Sequence, residues 1–171
     1  MDNILKAVKQ RRSIRDFQKR NIPGDIIDKL IEALIWAPSA GNLQARKFYF
    51  IKDEGIKKKI ADAALKQYFI AEAPLVIIGC ADSRIANKYG ERGVNLYSIQ
   101  DVACSLMGMM LVAHENGLGS VWVGAFHENR VSDILKLPRH LRPVAIVSVG
   151  YPSKIPSPPP RVSREEAVEF R

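Results

Sequence analysis

The chain has 171 residues, with 26 Lys and Arg against 18 Asp and Glu for a formal charge of +8, and it is 47% apolar. That balance excludes disordered and fibrous classes, and a chain of this length buries roughly 70% of the surface its unfolded form exposes, enough for one core without disulfides or metals. The longest apolar runs, 73–81 and 102–113, fall short of the roughly 20 residues of a membrane-spanning helix, and the N-terminus has no uninterrupted apolar stretch, so a cytoplasmic protein without a membrane partner is expected.

In chain order, Asp2 is placed to cap a first helix with Ile4, Leu5 and Val8 at near-helical spacing, ending near Arg11 or Arg12. A second helix starts after Pro23-Gly24-Asp25; Ile26, Ile27, Leu30, Ile31, Leu34 and Ile35 form its apolar stripe, and Pro38 stops it. A polar loop, 39–44, follows. Residues 47–52 read as a strand, 56–65 as a helix and 74–80 as a buried strand. Residues 98–116 fit a long helix apolar round most of its circumference, ended by Gly117 at a position that tolerates positive φ. Then come a short strand at 121–124, a helix at 128–137 and a core strand at 143–150. Beyond Tyr151, five prolines in nine residues force an extended path that suits an arm lying on a surface, its own or a partner's.

Cys80 and Cys104 sit among apolar neighbours with no metal-type spacing, so two buried, reduced thiols are expected. His114, His127 and His140 are 13 residues apart at each step, which puts no pair on one helical face; no protein-bound metal is expected.

The positive charge is concentrated. Residues 1–20 hold Lys6, Lys9, Arg11, Arg12, Arg15, Lys19 and Arg20 against Asp2 and Asp16, a net +5 of the +8. Such a block fits a solvated basic face, a small phosphate site or a nucleic-acid surface. Aromatics interleaved with the cations would favour single-stranded nucleic acid, and only Phe17 lies in the block. Past the first helix, Arg11, Ser13 and Arg15 alternate onto one side of an extended segment, where two guanidinium forks and a hydroxyl suit a phosphate dianion. The 38–44 loop presents the Ser39 hydroxyl and the Asn42 and Gln44 amides, which offer the alternating donors and acceptors that a heterocycle's edge needs; ordinary helix-terminating chemistry explains it equally. Gly117-x-Gly119 connects helix to strand where a dinucleotide fingerprint connects strand to helix, and 119–124 lacks the Lys and Ser/Thr of a phosphate loop. No GxSxG is present.

Taken together and in order, Arg11-Arg12-Ser13-Ile14-Arg15-x-Phe17, Pro38-Ser39-x-x-Asn42-x-Gln44, the stretch from Gly117 to Phe126, Leu137-Pro138 to Arg142-Pro143, and Gly150-Tyr151-Pro152 with Arg161 beyond resemble the nitroreductase family of flavin enzymes over nearly the whole chain. The resemblance implies an α+β three-layer sandwich, a mostly antiparallel sheet flanked by helices, in a homodimer with FMN at the interface. It implies one flavin-binding domain, 1–151, with 152–171 as a proline-rich arm of the same domain packing on the partner. It places Arg11, Ser13 and Arg161 on the phosphate, with Arg12 in the same flavin-binding set, and Arg15 at the pyrimidine edge. Pro38, Ser39, Asn42 and Gln44 would come from the other subunit, the Val123-Gly124 backbone would lie against N5, and Gln67 would add an amide contact.

The activity implied is hydride transfer from NADH or NADPH through flavin N5 to a small acceptor, a nitroaromatic, quinone or enone, in two half-reactions, with no catalytic side chain demanded. A fixed cation such as Arg15 would favour the reduced ring, whose negative charge develops near N1 and O2. Related flavin folds serve as dehalogenases, flavin-destroying enzymes or carriers without turnover, and a basic nucleic-acid module is the reading outside this class. Two departures stand out: Ala45-Arg46 follows the loop where relatives commonly have Pro and an aromatic, implying a less rigid loop, and Pro159 stands where many place a second basic residue. The short 81–97 connection implies a more open site.

Overall fold

The structure is a computed structural model that describes residues 3–171; Asp2, the expected cap of the first helix, lies outside the described residues. Four strands, β1 (Arg46–Ile51), β2 (Leu75–Asp82), β3 (Gly119–Val123) and β4 (Leu141–Gly150), form one sheet in the order β1-β2-β4-β3, with every pairing antiparallel. All four expected strands are present, shifted by one or two residues at their ends.

β2 explains the layering. Its eight residues are all buried, as an unbroken apolar strand requires when both faces are covered. Val76, Ile78 and Cys80 pack with the side chains of α3 (Glu54–Ala63) and α7 (Glu128–Leu135). Leu75, Ile77 and Ala81 pack on the other face with α2 (Gly24–Ile35) and α6 (Ser98–Glu115). The result is the expected α+β sandwich with a core on each side of the sheet.

α6 is the main helix of the second core. Its buried residues, Ser98, Asp101, Val102, Ser105, Leu106, Met109, Met110 and Ala113, recur at three- and four-residue steps and so form one stripe. The helix is therefore one-sided, not apolar all round, and Cys104 and Met107 stand exposed on its outer face. Of the two thiols expected to be buried, only Cys80 is, and burial pushes it up to about 12. Gly117 follows α6 at φ 76°, as expected.

The connection before α6 is helical apart from a kink at Gly90, which takes φ 55° and ψ −149°. A 3-10 turn (Ser83–Ile85), α5 (Ala86–Arg92) and a π turn (Gly93–Tyr97) lead directly into it. The continuous path from Ser83 to Glu115 contains an 18-residue window of mean hydropathy 1.4, long and apolar enough to cross a bilayer by length and composition. The sequence pattern understated that length. α6 nevertheless buries its apolar stripe against the sheet and α2, as the core helix of a sandwich does.

The outer elements leave apolar surface uncovered. α1 (Asn3–Gln10) exposes Ile4, Leu5 and Val8. The expected stripe of α2 is only partly buried: Leu30 and Leu34 reach the core, whereas Ile31 and Ile35 are exposed. Besides α5, two short helices lie outside the expected elements, α4 (Phe69–Glu72) and α8 (Arg164–Ala167), the second closed by a capping box between Ser163 and Glu166. The rest of the arm beyond Ser153 is exposed.

Candidate functional site

The basic segment after α1 lies along the edge strand β3. Ile14 N–H donates to Ser120 O at 3.0 Å, Ser13 bridges Ser120 in parallel, and Phe17 bridges Pro152. Gly119 permits this approach, because a Cβ there would collide with the Ile14 side chain. Ile14 and Phe17 are buried, which turns Arg15 outward and leaves Arg11 and Ser13 half-buried.

Arg11, Arg12 and His114 line a cavity of about 300 Å³ with Gly117, Gly119, Pro152 and Ile155. Arg11 Nε is buried there without a hydrogen-bond partner. Burial, together with the like charges of Arg12 and then Arg161, pushes its guanidinium below the ordinary arginine value. Arg161, from the far end of the chain, lies outside the cavity lining but near enough for its charge to act on Arg11, with its own Nη1 donating to Pro160 O at 3.1 Å. Among the described residues the ion pairs are Arg84–Asp82, Arg142–Glu128 and Arg171–Glu169, so no carboxylate neutralises the cavity. A half-buried arginine with an orphaned donor, under the influence of a second arginine's charge, suits an anion of high charge density. Arg12 instead turns back on the helix, where its Nη1 donates to Lys9 O at 2.7 Å and Arg11 O at 2.8 Å, satisfying carbonyls at the end of α1. His114, which sequence reasoning passed over, is pushed below its ordinary value by burial and then by Arg11 and Arg12.

A second group forms where β3 ends. Gln67 Nε2 donates to Ala64 O at 2.9 Å and to Ala125 O at 3.1 Å, holding the turn after Val123 against the end of α3. Leu65 and Lys66 precede it at φ 56° and 61°, left-handed conformations that side-chain-bearing residues adopt at a cost. Arg15 lies near, its guanidinium carbon 5.7 Å from the Phe69 ring centroid. Val123 is the last paired residue of β3 and Gly124 is exposed just beyond it. Arg15, Gln67, Val123 and Gly124 therefore share one end of the segment whose other end holds Arg11, Ser13 and Arg161.

Pro38, Ser39, Asn42 and Gln44 are elsewhere. Their loop precedes β1, the opposite edge of the sheet, three strand spacings from β3, or about 14 Å. Within this chain the sequence-derived residues are thus brought together as two separate sets.

The loop is tightly held, contrary to the expectation from Ala45-Arg46. Ser39 Oγ accepts the Gln44 N–H at 3.0 Å, Asn42 N–H donates to Ser39 O at 3.0 Å, and Gly41, Asn42 and Gln44 all take positive φ. Arg46 donates to Leu34 O (3.4 Å), Ile35 O (3.1 Å), Ala37 O (2.7 Å) and Pro38 O (3.2 Å), gathering the carbonyls that Pro38 leaves open at the end of α2. Asp101, buried on α6, accepts the Ala40 N–H through Oδ1 at 2.9 Å, while Oδ2 is buried without a partner. One acid in the apolar run of α6 is a signal that could have found Asp101. No local pattern marks Arg46.

The nitroreductase family model matches residues 8–82 and 63–151. A protein of Methanothermobacter thermautotrophicus, provisionally named NADH dehydrogenase/NAD(P)H nitroreductase, is 33% identical over 158 residues, covering 90% of this chain and 80% of its own. The Bacillus subtilis FMN reductase [NAD(P)H] is 28% identical over 179 residues, covering 96% of this chain and 72% of its own. Among solved structures, NfrA2 of B. megaterium superposes with a TM-score of 0.92 at 27% identity, covering 99% of this chain and 74% of its own.

Proposed function

The chain belongs to the nitroreductase family, and from that premise we propose how its residues serve an FMN-dependent NAD(P)H oxidoreductase. When bound, FMN supplies the two-electron chemistry, taking hydride from NADH or NADPH and passing electrons to a small acceptor such as a nitroaromatic, quinone or enone. The observation that carries the reading is the unpartnered, buried Arg11 Nε, on whose guanidinium the charge of Arg161 also acts. A phosphate there would satisfy that donor and relieve the repulsion between the two arginines, with Ser13 adding a hydroxyl donor.

Arg15 would hold a cation at the pyrimidine edge of bound FMN, where a fixed positive charge would favour the reduced ring. Gln67 ties down the 123–125 turn through Ala125 O and keeps its carbonyl oxygen available to the ring edge. The backbone at Val123 and Gly124 would face the ring's hydride-accepting position. No side chain need move a proton for these roles.

The protein acts as a homodimer in this reading. The 38–44 loop of one subunit completes the site built on the other subunit's β3 edge, which the opposite-edge placement of the two sets supports. Uncovered Ile4, Leu5, Val8, Met107 and the arm residues Ile155, Val162, Val168 and Phe170 are the surface a partner would bury. Residues 152–171 belong to the domain as an arm on that partner. The free thiols of Cys80 and Cys104 support a cytoplasmic setting.

The test is spectroscopic. Purified protein should be yellow, bleach on anaerobic addition of NADH or NADPH, and recover its colour with an acceptor. A colourless protein with no affinity for added FMN removes the assignment.

A further inference from the structure

A second basic cavity lies away from the Arg11 site, between the 18–22 segment, the end of β1, the first turns of α3 and the entry to β2. It encloses about 640 Å³ and is lined by Lys19, Arg20, Lys52, Lys57 and Lys58 against two acids, Glu54 and Glu72. None of the three ion pairs among the described residues involves these side chains; Glu54 and Asp53 act on Lys57 from a distance, and the lining keeps an excess of positive charge.

Two of the cations are preorganised. Arg20 stacks on the Tyr151 ring, its guanidinium carbon 3.9 Å from the centroid, which holds the planar fork in place and leaves its N–H edge free. The Lys57 residue is only 6% exposed, with Nζ donating to Ala73 O at 2.7 Å. An ammonium has three donors, and this one bond leaves two for an occupant. Burial opposes the charge of Lys57 more than Glu54 and Asp53, which make no ion pair with it, support it, and an anion in the cavity would offset the remaining cost. Lys19, Lys52 and Lys58 are exposed and free to close over such an anion.

We propose that this cavity is a binding site for a linear polyphosphate group, a di- or triphosphate, held between the stacked Arg20 and the buried Lys57 and independent of the Arg11 phosphate site. Several cations spread along a cleft match an extended polyanion better than a single phosphate, whose charge two arginines already answer at Arg11. The class has two sources, inorganic polyphosphate and the phosphate chain of a nucleotide.

The experiment is calorimetric titration of FMN-saturated protein, and in parallel of protein without FMN, with inorganic tripolyphosphate, ATP and orthophosphate. The proposal expects one tripolyphosphate per chain, binding unaffected by FMN, with orthophosphate much weaker. ATP binding as well as tripolyphosphate assigns the phosphate chain as the recognised part; clearly tighter ATP assigns a nucleotide. Arg20→Gln and Lys58→Ser should each weaken binding by about tenfold. Lys57→Met, which keeps the aliphatic volume, should do the same in a variant whose melting curve shows it folded. Absence of binding overturns the proposal, as does equal weakening by Lys6→Ser/Lys9→Ser on α1, which would assign the effect to diffuse charge. Competition by FMN would place the anion at Arg11 and overturn it too.

Discussion

The carboxylate of Asp101 accepts the backbone N–H of Ala40 at 2.9 Å, fixing the candidate flavin loop to the core helix α6 across 61 residues of sequence. Asp101→Ala would leave that half-buried N–H unsatisfied, so it should destabilise the fold by about 1–3 kcal/mol and weaken FMN binding. Asp101→Asn keeps an acceptor and should restore most of both. Denaturant melts together with FMN titrations check this; equal damage from both variants would show that charge, not loop anchoring, is the contribution.

Arg11→Ala should weaken FMN binding by roughly 1.5–3 kcal/mol, the value of a charge-assisted contact, whereas Lys19→Ala should leave it unchanged. The same substitution removes a desolvated cation facing Arg161, so the FMN-free protein should melt no lower than wild type. Fluorescence titration and thermal melts read the two effects separately. Equal loss of affinity in both variants would assign FMN retention to general positive charge.

His114 gives the FMN-free protein an acid sensitivity of defined sign. Its value in the fold lies below the ordinary 6.5, so between the two values the unfolded chain binds the extra proton and stability falls as pH falls through that window. His114→Asn should flatten the dependence, and saturating FMN should reduce it, because a phosphate beside the ring favours the protonated form. Melts from pH 7.5 to 5 with and without FMN test both statements.

Met107 stands on the outer face of α6, opposite the buried stripe, so Met107→Glu should leave the fold's own stability within about 0.5 kcal/mol. A charge there should break a self-association that covers this face, and FMN should be lost along with the dimer. Sedimentation at micromolar concentration with simultaneous flavin absorbance is the check; a dimer that persists and keeps FMN would move the interface elsewhere.

The fold was readable where one periodicity governed a segment. β2 reads as an unbroken apolar run because it is covered on both faces, and α2, α3 and α6 show their stripes directly. Exposure was not readable: Ile31, Ile35 and Cys104 are as apolar in sequence as Leu30 and Leu34, and only tertiary packing separates them. The connection 83–97 stayed hidden because it is built of short pieces of three helical types, interrupted at Gly90, each too short to show a period. Among the candidate site residues, Arg11, Arg12, Ser13, Arg15, Pro38, Ser39, Asn42, Gln44, Val123, Gly124 and Arg161 belong to ordered motifs and Gln67 to none of them, but sequence could not show that the charge of Arg161 acts on Arg11. Nor could it show that Arg12 turns back onto α1, or that Arg46 stiffens the loop it was expected to loosen. Each depends on where a guanidinium points once the chain is folded, which residue type and spacing do not encode.

Mixed dimers test the division of the site between two subunits most directly. Arg11→Ala disables one half and Gln44→Ala the other, so homodimers of either variant carry two damaged sites. Co-expressed under two affinity tags, the heterodimer should hold one intact site and one with both lesions, and should bind one FMN per dimer with wild-type affinity. If the heterodimer retains no more FMN than either parent, both halves act within one chain and the flavin does not lie between protomers.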